Sequence, residues 1–249
     1  MKRHGVPTWI TACGFPVLLG VTASALAGPP FVTDDPEPTE LGHFEMYLFS
    51  EGVHTQGDQE ATLPGFELNY GAAKDLELTF SANEDHRDPR GEHSAWHYGS
   101  TELAVDWRFI HEDEQGWLPQ VSIYPSIDIP SNGHNSEEYL PILFGKGFGK
   151  WEIFGGGGPQ WNPGADGKDS WFAGVGVLRQ VTDHLQLGGE VFRQTAQARG
   201  DRNETSFNLG SIYDFNETWH ILGSAGRGLK NITQTNKFSY YIGIGLTVP

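Results

Sequence analysis

The last stretch of the chain, residues 237–248, places the strongest constraint on what the sequence can fold into. It reads Lys-Phe-Ser-Tyr-Tyr-Ile-Gly-Ile-Gly-Leu-Thr-Val, so that apolar side chains alternate with small or polar ones throughout. A period of two predicts a β-strand, because successive side chains of a strand point to opposite faces. One face of this strand is continuously apolar, and it therefore has to be covered either by a second protein layer or by lipid.

The first 27 residues have the features of a secretory signal peptide. Lys2 and Arg3 form a basic start, residues 15–21 are apolar, and an Ala-Leu-Ala cleavage site ends at Ala27. The apolar run is too short to cross a bilayer as a helix. Cleavage there would remove Cys13, the only cysteine, so we expect a mature chain without disulfides. Lipidation at Cys13 is a weaker alternative, because almost no apolar run precedes it.

The composition excludes several classes of protein. The chain has 32 acidic and 16 basic residues and a formal net charge of −16, so no nucleic-acid partner is expected. After the signal peptide, no segment approaches the roughly 20 apolar residues that a membrane helix needs. A low mean hydropathy of −0.41 is compatible with a membrane β-barrel, since each strand of a barrel shows lipid only alternate side chains.

Residues 28–42 hold four prolines and four acids, and we predict that they form an extended leader rather than regular structure. From His43 onward, alternating runs are separated by Gly, Asn, Asp and Pro. These runs predict twelve strands, at residues 43–53, 61–72, 75–83, 97–110, 117–129, 137–148, 150–162, 169–181, 184–195, 203–215, 218–229 and 236–248.

The connections between these strands alternate in length. Very short links at residues 73–74, 149, 182–183 and 216–217 alternate with longer polar ones at 84–96, 130–136, 163–168 and 196–202. Short periplasmic turns and long external loops are typical of transmembrane barrels. We therefore predict an all-β fold, a single closed antiparallel transmembrane β-barrel of about 12 strands over residues 43–249, with both termini periplasmic. A soluble β-sandwich would explain the alternation but not the asymmetric connections.

Aromatic side chains flank three of the links on the predicted periplasmic side. An interfacial girdle of a membrane barrel would place amphipathic rings there. Ordinary hairpin-end core packing is the competing interpretation, and the recurrence on one side favours the girdle. The pairs are Phe109 with Trp117, Phe148 with Trp151, and Phe215 with Trp219.

Several segments resemble a family of outer-membrane proteins known as phenol meta-degradation pathway proteins, or simply as transporters. The similar segments are Gly-Pro-Pro-Phe-Val-Thr-Asp-Asp-Pro-Glu-Pro from Gly28, Gly-His-Phe-Glu from Gly42, the glycine run 155–158, Asp-Phe-Asn-Glu from Asp214, and residues 241–247. The resemblance implies a porin-like β-barrel in the outer membrane of a Gram-negative bacterium. It also implies passage of small solutes, including aromatic or hydrophobic compounds. From the residues themselves, no enzymatic activity and no cofactor are predicted.

The final strand is also similar to the signal read by the machinery that inserts barrels into the outer membrane. Tyr241, Gly243, Leu246 and Val248 occupy the matching positions, whereas the usual aromatic last residue is replaced by Pro249. The resemblance therefore implies two partners besides the small-molecule solute, namely outer-membrane lipid and the insertion machinery.

The alternation also assigns side chains to the inside of the barrel. If the apolar set of each strand faces lipid, its neighbours point into the lumen and make it wet and electronegative, which favours cationic or neutral solutes over anions. A salt-bridged plug formed by Arg108 and its acidic neighbours is an equally weighted alternative. The predicted lumen residues are Glu45, Glu67, Asn69, Glu77, Glu102, Asp106, Arg108, Asp128, Glu190, Asn208 and His220.

Two chemical sites are weaker alternatives. His86, His93 and His97 share the longest predicted loop, but this loop has no helical pattern that would bring them together, and no metal site is predicted. His220, Ser224 and Glu190 are the inward residues that a barrel hydrolase could use. No nucleophile motif surrounds Ser224, and the lining of a polar lumen explains the same residues.

Five prolines fall within the predicted strands, at positions 64, 119, 125, 141 and 159. Proline cannot donate a hydrogen bond to the neighbouring strand, and a closed barrel has no free edge where that loss would be harmless. Pro125 and Pro141 lie on neighbouring strands, so we predict a bulge or a local break in pairing there.

Overall fold

The chain forms an all-β structure in a computed structural model that describes residues 29–56, 59–87, 95–113, 115–131, 133, 135–164 and 167–249. No helix in this part of the chain is long and apolar enough to cross a membrane. The strands are β1 (Phe44–His54), β2 (Gln59–Ala73), β3 (Leu76–Arg87), β4 (Ala95–Ile110), β5 (Gln120–Ile123), β6 (Ser126–Pro130), β7 (Glu137–Tyr139), β8 (Ile142–Phe148), β9 (Trp151–Trp161), β10 (Ser170–Thr182), β11 (Leu185–Gln194), β12 (Glu204–Asp214), β13 (Trp219–Lys230) and β14 (Phe238–Val248).

The sheet closes on itself into an antiparallel barrel. β1 pairs with β14 in an unbroken register from Phe44 opposite Val248 to His54 opposite Phe238. Every other neighbour along the sheet is also antiparallel. β5 and β6 both pair with β4, and β7 and β8 both pair with β9, so each of these two pairs is one broken strand of the wall. The result is the predicted barrel of twelve strands.

The two breaks lie where the sequence predicts them. Tyr124 and Pro125 separate β5 from β6, and Leu140 and Pro141 separate β7 from β8. Backbone bonds bridge both gaps, since Tyr124 N donates to Pro141 O at 3.2 Å and Leu140 N donates to Pro159 O at 3.1 Å. Pro64 lies at a third irregularity, a register shift between Thr62 and Gly65. These prolines, which have no backbone N–H to donate, thus lie at positions where strand pairing is interrupted.

The barrel has a turn end and a loop end. The turn end carries the short connections at residues 74–75, 149–150, 183–184 and 215–218, together with residues 111–119, Phe44 and Val248. The loop end carries the longer connections. β3 reaches Arg87 and β4 begins at Ala95, so the loop predicted at 84–96 is wrong at both of its ends.

The outside of the barrel is apolar, whereas the inside has a polar part and an apolar part. Large hydrophobic side chains are exposed along the outer wall, and the predicted girdle rings are among them, from Phe148 at 43% to Trp117 at 87% exposed. On the inside, β9, β10, β12 and β13 contribute a buried apolar cluster near the turn end, formed by Phe154, Leu178, Ile212 and Leu222 with Tyr47 of β1. The prediction that inward side chains are uniformly wet is therefore wrong on this side of the lumen.

Candidate functional site

Residues 29–41 of the leader lie inside the barrel, across the half of the lumen nearest the turn end. The Glu190 carboxylate accepts the backbone N–H of Val32 and of Thr33, each at 2.8 Å. Near the other end of the leader, Glu77 Oε2 accepts from Thr39 N at 2.8 Å and from Thr39 Oγ1 at 2.6 Å. Two wall carboxylates thus satisfy polar groups of a segment whose one β-bridge to the described wall joins Leu41 to Gly71.

Side-chain packing adds to these bonds. Phe31 inserts against the apolar cluster, with its ring centroid 5.8 Å from that of Phe154. Ser224 Oγ donates to Pro30 O at 2.6 Å, and Pro30 and Pro36 are fully buried. Burying a ring such as Phe31 stabilises the docked leader by about 1.5–3 kcal/mol.

Glycines on the inner wall make room for the leader. A side chain at Gly174 would collide with Thr33 Oγ1, and one at Gly71 would collide with the Glu40 carbonyl. At Gly210, a Cβ would lie 2.9 Å from the Phe31 ring. These glycines come from strands on different sides of the barrel, so the wall is shaped to the leader along its length.

Above the leader lies a cavity of about 920 Å³ that extends toward the loop end. The leader forms its floor, and His86 and His97 lie near its mouth. Its wall combines carboxylates with aromatic rings, among them Tyr47, Phe49, Glu51, Glu67, Glu102, Asp106, Tyr124, Asp128, Tyr139, Phe172 and Tyr241. A space of this size and lining can hold a small organic molecule.

Most of the predicted lumen residues line this cavity. They are Glu45, Glu67, Asn69, Glu77, Glu102, Asp106, Asp128 and Asn208. Two pairs of acids stand directly opposite each other on neighbouring strands, Glu77 with Asp106 and Glu102 with Asp128. Opposed like charges destabilise a sheet, so the arrangement costs stability and concentrates negative charge on one side of the lumen.

Two acceptors on this side lack a protein partner. Asp106 Oδ1 and Asn69 Oδ1 are buried and accept no hydrogen bond from the part of the chain that the structure describes. Asp106 is 4% exposed and Asn69 7%. Both residues border the cavity, but the two oxygens themselves have almost no accessible surface, so each is a buried acceptor that costs stability rather than a contact point for a solute.

Arg108 lies elsewhere and does not form the predicted plug. Its guanidinium donates to Asp75 Oδ1 at 2.9 Å and to Gln120 at 2.9 Å, at the turn end. Asp75 occupies the tight turn between β2 and β3 with φ of 63°, and its other oxygen lies 3.1 Å from His111 Nε2. The cluster joins two connections at the rim, β2–β3 and β4–β5, and Arg108 is not among the residues that line the cavity.

The three candidate hydrolase residues are not assembled into a catalytic site. His220 Nδ1 lies 2.8 Å from Asp214 Oδ1 and its Nε2 lies 3.1 Å from Thr247 Oγ1, whereas Ser224 and Glu190 both bind the leader. The imidazole links β12, β13 and β14 at the turn end. This arrangement contradicts the proposed Ser-His-acid set.

The histidines of the predicted long loop are also placed differently. His86 lies in β3 and packs on Trp96 of β4 with ring centroids 4.6 Å apart, and His97 is in β4 as well, while His93 lies outside the described residues. Within the described residues, no group of three or more His, Cys, Asp or Glu side chains could hold a metal ion.

Burial changes the titration of the leader acids. Removal from water raises the pKa of the Asp34 carboxyl well above its ordinary range, and the negative charges of Asp106, Glu77 and Glu67 act in the same direction. Burial also raises the pKa of Asp35, reinforced by Asp34, Glu152 and Glu37. The leader therefore brings further carboxylates into a space that is already acidic.

The sequence interpretation missed the leader as part of this site. Thr33, Asp35 and Thr39 are buried, although their segment reads as a polar, proline-rich linker. The available signal was the glycines at the inward positions 174 and 210, but inward glycines are equally typical of a strongly curved wall.

Solved structures share this fold at low sequence identity. An outer-membrane channel from Pseudomonas putida F1 is 14% identical, with a TM-score of 0.70 over 86% of this chain and 98% of that chain. The NanC porin is 9% identical, with a TM-score of 0.57 over 81% and 98%. The KdgM porin in complex with disordered oligogalacturonate is 9% identical, with a TM-score of 0.56 over 82% and 99%. The chain thus has the fold of outer-membrane barrel channels.

Comparisons by sequence give no family. No family model matches the chain, and no curated protein matches it either.

Proposed function

We propose that this protein is an outer-membrane channel that passes small neutral or cationic compounds, aromatic ones included, through an acidic lumen. The observation that carries the proposal is the cavity of about 920 Å³ inside a closed barrel, with opposed carboxylate pairs on one side and aromatic rings around it. Carboxylates without compensating cations favour positive charge and exclude anions.

The cellular setting belongs to the same proposal. Export by the signal peptide ending at Ala27, insertion through the final strand, and a periplasmic turn end are consistent with the fold and with the short turns at that end. The resemblance of the leader and of residues 241–247 supports membership in the phenol meta-degradation family. On that basis we propose phenol-like aromatics as solutes, since a phenolic hydroxyl can donate to the lumen carboxylates.

A closed barrel without transport is the second candidate. The docked leader favours it, because Glu77, Glu190 and Ser224 hold residues 30–39 across the lumen. The two candidates differ in one observable, since only a channel conducts ions across a planar bilayer.

Ion selectivity tests the proposal directly. In a KCl gradient across a planar bilayer, we expect a reversal potential with the sign of a cation-selective channel. The double variant Glu102→Gln, Asp128→Asn should shift this potential toward zero, while Glu217→Gln, an exposed acid in a turn, should leave it unchanged. Absence of conductance would favour the closed barrel, and anion selectivity would contradict the acidic lumen.

Liposome swelling tests the solute class. A neutral pentose and an amine of similar size should enter faster than a carboxylate of that size. Equal rates for all three would contradict the proposed selectivity.

A further inference from the structure

Basic side chains are concentrated on one part of the outer wall. Arg193, Arg227 and Lys230 are exposed near the loop end of β11 and β13, Lys237 is exposed just before β14, and we call these four residues the basic rim. The chain as a whole has twice as many acidic as basic residues, so a cluster of positive charges differs from the rest of the chain.

The residues of the basic rim are free to bind an external anion. Arg193 Nη1 donates to Thr205 Oγ1 at 3.2 Å, which holds its guanidinium against the wall. Among the described residues, none of the four rim side chains forms an ion pair. The nearest acid of β12, Glu204, already accepts from Ser206 and from Asn236 at 3.2 Å.

The register places three positions of this region in one row. Arg193 lies opposite Thr205, and Thr205 lies opposite Lys230, across β11, β12 and β13. Arg227 lies opposite Phe207, closer to the middle of the barrel. The cations therefore cover more than one level of the wall, which suits a head group that carries more than one phosphate.

An apolar groove of about 430 Å³ lies on the same wall, on the side of the rim away from the loop end. Its sides are Leu187, Leu209 and Ile242, and the last two are 64% and 59% exposed. Its floor is low because Gly223 and Ala225 carry almost no side chain. Ala225 is two residues from Arg227, so the groove begins about 7 Å from the rim measured along the strand.

We propose that this wall binds a phosphate-bearing lipid of the leaflet at the loop end, with its phosphates on the basic rim and an acyl chain in the groove. The charge of the rim and the apolar groove beside it select together for an anionic amphiphile. The inference rests on the proposed outer-membrane location but not on transport, so a barrel that conducts nothing would still bind the lipid.

Lipid titration of the full-length mature protein in detergent micelles, followed by native mass spectrometry, tests the proposal. Diphosphoryl lipid A is the probe, and zwitterionic phosphatidylcholine is the comparison. We expect a saturable lipid A adduct on the wild type and at least tenfold weaker binding after Arg193→Gln, Arg227→Gln and Lys230→Gln are combined. The matched control removes three cations at the turn end, with Lys74→Gln, Lys150→Gln and Arg179→Gln.

The groove is tested separately by Ala225→Trp, which fills it and leaves every cation in place. We expect this variant to weaken lipid A binding several-fold, while 10 mM inorganic phosphate fails to displace the lipid from the wild type. Equal losses in the two triple variants, equal binding of phosphatidylcholine, or an adduct that is a second copy of the protein would overturn the proposal. A heat-dependent shift in gel mobility establishes that each variant still forms the barrel.

Discussion

Glu190 holds the leader at Thr33, whose backbone N–H donates to Oε2 at 2.8 Å while the side chain of Thr33 packs against the space left by Gly174. The same carboxylate accepts from Val32 N and from Asn208 Nδ2, the latter at 2.6 Å. One wall side chain therefore satisfies three donors, of which two belong to the leader.

Removing this carboxylate should release the leader. In Glu190→Ala, the buried N–H of Thr33 and the part-buried N–H of Val32 lose their acceptor, and the buried one alone costs about 1–3 kcal/mol, so the undocked state should become about tenfold more populated. We expect a higher single-channel conductance in planar bilayers. Glu204→Ala, which removes an acid of β12 that does not bind the leader, is the control, and an unchanged conductance in Glu190→Ala would contradict the docking role.

Filling the space beside Thr33 should have the same effect by a different route. In Gly174→Leu, the new side chain occupies the position of Thr33, and the leader cannot remain docked without moving. Conductance should rise as in Glu190→Ala. Gly147→Leu is the control, because a Cβ at Gly147 meets only Glu112, at 3.5 Å. If both glycine variants raised conductance equally, general loosening of the wall would explain the result better.

The strands were predictable because one physical requirement acts on every one of them. A residue that faces lipid must be apolar and its neighbour need not be, so the alternation in residues 219–230 or 238–248 gives each strand to within two residues. The requirement ends where the strand leaves the bilayer. Glu84, Asp85 and His86 continue β3 without any apolar face, and periodicity therefore could not extend the strand to them.

The leader was not predictable for a related reason. Three of its bonds to the wall run from the backbone N–H groups of Val32, Thr33 and Thr39 to Glu190 and Glu77, and a backbone donor cannot be recognised from the residue type. Glu77 and Glu190 occupy inward positions of the alternating pattern, as the other lumen residues do. Their role as acceptors for the leader therefore could not be distinguished from contact with water. Only the fold, by bringing residue 33 beside residue 190, makes the relationship visible.

The docked leader should be sensitive to pH. Burial raises the pKa of Asp34 and Asp35, so the charged forms are disfavoured in the docked state. Docking is then strongest below the ordinary carboxyl pKa of about 4 and weakens as pH rises through the raised values. We expect channel conductance to increase between pH 4 and pH 8. The Asp34→Asn, Asp35→Asn variant should flatten this dependence, and a conductance that falls with rising pH would contradict it.

The His220 link should stabilise the barrel rather than support chemistry. His220 is 6% exposed and joins Asp214 of β12 to Thr247 of β14, next to the strand pair that closes the barrel. Replacement by Ala removes two hydrogen bonds from the half-buried Asp214 carboxylate and Thr247 hydroxyl, at about 0.5–1.5 kcal/mol each. We expect His220→Ala to lower the temperature at which the barrel loses its compact gel mobility, while conductance per channel at 25 °C stays unchanged. His184→Ala, at the exposed neighbouring turn, should lower that temperature less, because the exposed His184 imidazole makes one hydrogen bond within the described residues, to the Asp214 carbonyl. A variant of His220 with wild-type heat stability would show that the three strands are held together by backbone pairing alone.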